Sequence, residues 1–112
     1  MEESILRTIK KMLGGGTETS THFDTEIITH INSALMILTQ LGVGPKDGFA
    51  IKDDSAIWSD FLKSERNFEA AKTYVYLRVR LLFDPPTTSA VIDAMNQTIS
   101  ELDFRLQVQS DE

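Results

Sequence analysis

The chain has 112 residues, 41% of them hydrophobic and 25% charged, which suits one soluble globular domain and is too short for two ordinary ones. Eleven Lys and Arg against seventeen Asp and Glu give a formal net charge of −6, the wrong sign for holding DNA through its phosphates. There is no cysteine, so disulfides, thiolate nucleophiles and Cys-type zinc sites are excluded, which fits a reducing compartment. The opening "MEESILRTIKKML" carries early acids and no long apolar run, unlike a secretory signal, and no segment approaches the roughly 18–20 apolar residues that span a bilayer.

Taken in chain order, Glu2 to Leu13 reads as a first helix, with Ile5, Leu6, Ile9, Met12 and Leu13 at helical spacing. Acids at its start and lysines at its end suit the helix dipole. A basic amphipathic stretch can lie on membranes, but this one is short and reads as a packed helix. "GGGTETSTH", Gly14 to His22, is a flexible connection whose glycines lack the Gly-Lys-Ser/Thr ending of a phosphate loop.

Asp24 to Leu41 is the clearest helix. Asp24 is placed to cap it, Phe23 and Ile28 sit at staple spacing, and Ile27, Ile31, Ala34, Leu35, Leu38 and Leu41 form one stripe. Gly42 follows where a left-handed residue commonly ends a helix. "GVGPKDGF" is a Gly/Pro-rich loop. After it, Ile51, Ile57, Trp58, Phe61 and Leu62 fold a short apolar piece onto the core, with a short helix from Ser55 that Asp53 and Asp54 are placed to cap. These two acids lack the spacing of a calcium loop.

Asn67 to Phe83 is ambiguous. "YVYLRVRLL" alternates like a strand. Yet "NFEAAKT" before it is helix-prone, Asn67 is a fair cap, and Phe68, Ala71, Val75, Val79 and Leu82 fit a helical stripe. With no obvious partner strand, a central helix is expected. Asp84-Pro85-Pro86 must stop it by about Phe83, because each proline biases its predecessor away from helical angles and donates no amide. One of Thr87, Thr88 or Ser89 then caps a last helix carrying Val91, Ile92, Met95, Ile99, Leu102 and Leu106 on one stripe, with Asp93, Glu101, Asp103 and Arg105 off it.

The expectation is an all-α, single-domain bundle of about four to five helices, with the Pro-Pro corner between the last two long ones. Residues 1–22 form the first helix and glycine loop, 23–106 the helical core, and 107–112 a polar tail, "QVQSDE", without fixed structure until it is bound. No catalytic, metal or cofactor residue stands out. His22 falls in a loop, His30 lies within a helix, and neither belongs to a paired motif. Surface contact is the expected mode of action.

Several segments combine into a resemblance. "INSALMILTQLGVGP", "WSDFL", "AAKTYVYLRVRLLFDPP" and "ISELDFRLQVQ" together resemble the head-tail connector, or adaptor, proteins of long-tailed phages and prophages, many of which carry the label of putative DNA packaging protein. The similarity runs from about Phe23 to Gln109. It implies a helical subunit that assembles as a ring beneath the portal after DNA is packaged. The ring extends the DNA channel and offers a docking surface for a stopper or tail-completion protein. Twelve copies would match the portal. The place implied is the virion's head-tail interface, and the host cytoplasm during assembly.

Carried onto this chain, the family's portal contact falls on Phe104, Arg105, Leu106, Gln107, Val108 and Gln109. Phe104 reads equally as an interface anchor or as packing under the first helix. Arg78 and Arg80, on a mostly apolar helix, either bridge neighbouring subunits by pairing with acids or reach solvent along their stems. Excess acids suit a lumen that repels DNA phosphates, so that DNA passes without specific binding. Two other classes remain open at this stage. One is a small phage regulatory DNA-binding or packaging-accessory protein, which the charge balance opposes. The other is a small packaging nuclease, for which no convergent acids are evident.

Overall fold

A computed structural model describes residues 1–110. Among them are helices α1 (Ile5–Leu13), α2 (Asp24–Gln40), α3 (Trp58–Phe61), α4 (Phe68–Phe83) and α5 (Ser89–Ser110), with a 3-10 turn over Glu65–Asn67 before α4. The all-α expectation holds. Asp111 and Glu112 of the expected tail lie outside the described residues. Gln107, Val108 and Gln109, expected in that tail, instead continue α5.

Helix α1 begins at Ile5 and not at Glu2, because the first residues run extended beside the segment before α3. Ser59 and Trp58 amides donate to the carbonyls of Met1 and Glu3 at 2.9 and 3.2 Å, and the Ile5 amide donates to Ala56 at 3.0 Å. Backbone groups satisfied this way need no helix. Ser4 supplies the cap, its hydroxyl accepting from the Arg7 amide at 3.2 Å. The fully buried Trp58 fixes α1 from the other side, donating its indole N–H to Thr8 at 3.2 Å.

Asp24 does not cap α2. It opens the helix, and its carboxylate lies 2.8 Å from the Lys10 ammonium, whose side chain is only 8% exposed. A buried ammonium demands a counter-charge, and that demand outweighs an exposed cap. Lys10 also donates to the Ser20 carbonyl at 2.9 Å. At the other end Gly42 does what was expected of it, at φ +94°. The Gly42 amide donates to Thr39 and the Val43 amide to Leu38, the paired 5→2 and 6→1 bonds of a Schellman ending.

Asp53 and Asp54 do not cap α3, which starts three residues later than Ser55. Asp53 accepts from the Ser55 hydroxyl and, at 2.8 Å, from the Ser55 amide, and these bonds, the hydroxyl's first, hold its carboxyl below the usual range. Asp54 pairs with Arg7 at 2.7 Å. Asp60 closes the start of α3 by accepting from the Ile57 amide at 3.0 Å.

The ambiguous segment is helix. Ala71, Tyr74, Val75 and Val79 are fully buried, a spacing only a helix places on one face. Asn67 precedes α4 but makes no side-chain cap, and the 3-10 turn leads into the helix instead. Leu82, assigned to the buried stripe from its spacing, is 59% exposed, and so is Val91 at 47%. Both lie next to the corner, where no other element covers them. From the predicted α5 stripe only Ile99 and Leu106 are fully buried.

Helix α4 is the centre of the molecule. α2 packs on it most extensively, α1 packs on both, and α5 packs on α4 without a comparable interface to α2. The result is a slab of 38 × 35 × 19 Å.

Candidate partner interface

Helix α5 turns Ile99, Leu102 and Leu106 toward α4 and so turns Phe104 and Val108 away from it. Phe104 is 69% exposed, which removes the alternative of packing under α1, and Val108 is exposed one turn further on. Residues four apart on a helix are neighbours, so the two make one small apolar patch. Arg105 and Gln107 are also exposed and Gln109 is half-buried. Leu106, grouped with these by sequence, is fully buried and is a core residue of the chain. The segment therefore divides by face, and a contiguous stretch of sequence does not become a contiguous surface.

Arg78 and Arg80 both fold back onto α4. Arg78 donates to the Tyr74 hydroxyl at 2.8 Å with its guanidinium 5.2 Å from the ring centre. Arg80 donates to the Tyr76 hydroxyl at 3.2 Å and to the Asp84 carbonyl at 2.6 Å, with the Asp84 carboxylate at 3.8 Å. A cation there answers the free carbonyls at the C-terminus of α4.

The corner itself runs from Asp84 to Thr88. The Asp84 amide closes α4 on Arg80 at 3.0 Å, and the Thr88 carbonyl receives the Ile92 amide at 3.2 Å. Asp84 and Pro85 are exposed and Pro86 is half-buried. Phe83 meets Phe23 edge-on at 5.5 Å between ring centres, so the corner rests on the start of α2.

One feature of the α4–α5 seam has no signature in sequence spacing. The fully buried Tyr74 shares its hydroxyl with Asp103 of α5 and Arg78 of its own helix. Burial first, and the hydrogen bond to Asp103 next, push Tyr74 up to about 12. Because this value lies above the ordinary tyrosine value of about 10, the native state holds a proton that the unfolded chain gives up. The seam's stability is therefore fully present below about pH 10 and falls between about pH 10 and 12. Urea midpoints measured at pH 8 and 11 should show this loss for the native chain, and a smaller one for Tyr74→Phe. An equal loss in both would assign the alkaline sensitivity elsewhere.

Among the described residues no group of His, Asp or Glu is placed to hold a metal ion, and no helix is long and apolar enough to cross a membrane. The family model described as phage connector protein matches residues 5–112. No curated protein and no solved structure matches the chain.

Proposed function

The chain belongs to the phage connector family over nearly its whole length, and from that premise we propose that it is the subunit of a ring seated under the portal, joining the DNA-filled head to the tail or stopper and extending the DNA channel. The family match carries this reading. The exposed Phe104 and Val108 patch supports it, since an apolar pair on the outer face of the terminal helix suits a partner surface. Arg105, Gln107 and Gln109 form the polar surround of that contact with the portal. The ring has the portal's symmetry, twelve copies, and some of the excess acids face its lumen. Assembly takes place in the host cytoplasm and the finished location is the head-tail interface.

Mass-resolved size exclusion of the chain alone and mixed with portal tests the proposal. Co-elution at a mass of portal plus a ring is expected, and two separate peaks at micromolar concentration would overturn it.

The corner's part is to fix the direction in which α5 leaves α4. Two prolines restrict the unfolded and folded chain alike and keep the linker short. Replacing Pro85 and Pro86 with alanine is expected to reduce ring assembly on portal several-fold while circular dichroism shows nearly unchanged helicity. Full assembly of that variant would show the prolines dispensable.

A further inference from the structure

The outermost line of α5 carries Ala90, Ala94, Gln97, Glu101, Phe104 and Val108, and all six are exposed. Alternating steps of four and three residues along it make the 3.5-residue period with which helices pair side by side. At about 100° per residue, this line runs opposite Ile99 and Leu106, the two fully buried side chains of α5. Only α4 packs extensively on α5, from that buried side. The line is therefore open from Ala90 to Val108, about 27 Å at 1.5 Å per residue. Asp93, the one charged residue from Ser89 to Ser100, stands at its flank.

The order of side chains along the line names what covers it. Small residues occupy one end, Gln97 and Glu101 the middle, and large apolar residues the other end. A second copy laid antiparallel, centred between Gln97 and Glu101, sets its Phe104 over Ala94 and its Val108 over Ala90. Large then meets small along the whole seam. The same register sets Gln97 against Glu101 of the second copy, twice over, so that each amide donates to a carboxylate. Neither Gln97 nor Glu101 has a side-chain hydrogen bond or ion pair among the described residues, so both are free to do this. A parallel arrangement would oppose Glu101 to Glu101 and leave alanine facing alanine.

We propose that two copies of the chain pair antiparallel through the outer line of α5, and that this pair covers the Phe104–Val108 patch until portal takes it. The second clause rests on the ring reading above; the pairing does not. Such a contact is isologous, joining the same surface of both copies, so it closes at two and does not propagate into a ring. Portal and the second copy compete for the same two side chains, and the free chain is held back from other partners while it is paired.

Mass-resolved size exclusion of the full-length chain alone, from micromolar to near-millimolar concentration, is expected to reach twice 12.6 kDa. Ala94→Glu puts a carboxylate where Phe104 of the second copy seats, and should run at the single-chain mass with unchanged circular dichroism. Gln97→Lys should tighten the pair several-fold in a salt-sensitive way, and Gln97→Glu should loosen it; a parallel pair would be loosened by both. A native chain of single mass throughout would overturn the proposal. So would a dimer that Ala94→Glu leaves intact, or one that both Gln97 variants weaken. On immobilised portal, Ala94→Glu should be retained at lower concentration than the native chain, because no pair has to open first. Equal retention of the two would overturn the competition. Retention of a native chain that is never dimeric would overturn the pair and leave the ring reading standing. A dimer that Ala94→Glu dissociates, with neither chain retained, would establish the pair and overturn the ring reading together with the competition.

Discussion

Replacing Phe104 and Val108 together with glutamate is expected to leave a folded, helical chain that portal no longer retains. Both side chains point away from α4, and substitutions on such a surface usually move stability by no more than about 0.5 kcal/mol. The same change in a bound interface strips two apolar anchors and buries carboxylates without partners. Central aromatic anchors are commonly worth about 2 kcal/mol or more, and each ~1.4 kcal/mol is tenfold in affinity. A loss of at least about a hundredfold should follow, read by co-elution or surface capture on immobilised portal. Unchanged retention would remove this face from the portal contact.

Leu106→Ala provides the contrast. It empties a fully buried site and should cost roughly 2–5 kcal/mol of stability. Deleting the whole segment from Phe104 onward would mix both effects, so substitutions that follow the helix face are the cleaner test.

The second large effect is expected at Gly44. This residue sits at φ +89°, and a β-carbon there would be driven onto the Phe61 ring. The backbone alone costs an ordinary residue roughly 1–3 kcal/mol. Overpacking adds a similar amount, because Phe61 is 1% exposed and already meets Phe49 at 5.5 Å between ring centres. Gly44→Ala should therefore lose roughly 2–5 kcal/mol, against a total of about 5–15 kcal/mol for a domain. Thermal melting should fall by ten degrees or more, on the order of several degrees per kcal/mol. A drop under about two degrees would mean that the ring simply moves aside. Gly42, two residues earlier, ends α2 by its left-handed backbone, so the two glycines of "GVGP" serve separate needs.

The sequence made much of this fold legible, and the limits have physical causes. The "YVYLRVRLL" segment alternates like a strand, yet Ala71, Val75 and Val79 recur at four, and the buried face of α4 follows the longer period. The stop at Phe83 was equally legible, because proline restricts its neighbours whatever surrounds it. Leu82 and Val91 were assigned inward because periodicity gives the direction of a face and not where the covering element ends. Polar partners were the least legible. Lys10 with Asp24, Asn32 with the backbone of Ile51 and Tyr74 with Asp103 join residues whose meeting depends on helix packing. Asn32 illustrates this: its amide donates to the Ile51 carbonyl at 3.0 Å while its oxygen accepts the Ile51 amide at 2.8 Å, a bracket across nineteen residues. The exposure pattern of the last helix was less legible. Spacing did not divide the segment from Phe104 to Gln109 into an outward pair and an inward Leu106; that required the orientation of α5.

The clasp around Lys10 has a consequence for chain continuity. Helix α1 is secured by the burial of Ile5, Leu6 and Ile9, by backbone bonds to residues 56–59, and by an ammonium that grips Asp24 and Ser20. Nothing in that grip depends on an intact peptide bond between Gly15 and Glu18, where the backbone is exposed or half-exposed and glycine-rich. Exposed loops of this composition are where proteases cut first and where cuts are tolerated. The chain is thus built as two fragments that a short tether keeps at high local concentration. Cleaved in that loop, it would migrate as one particle under native conditions and as two pieces only after denaturation.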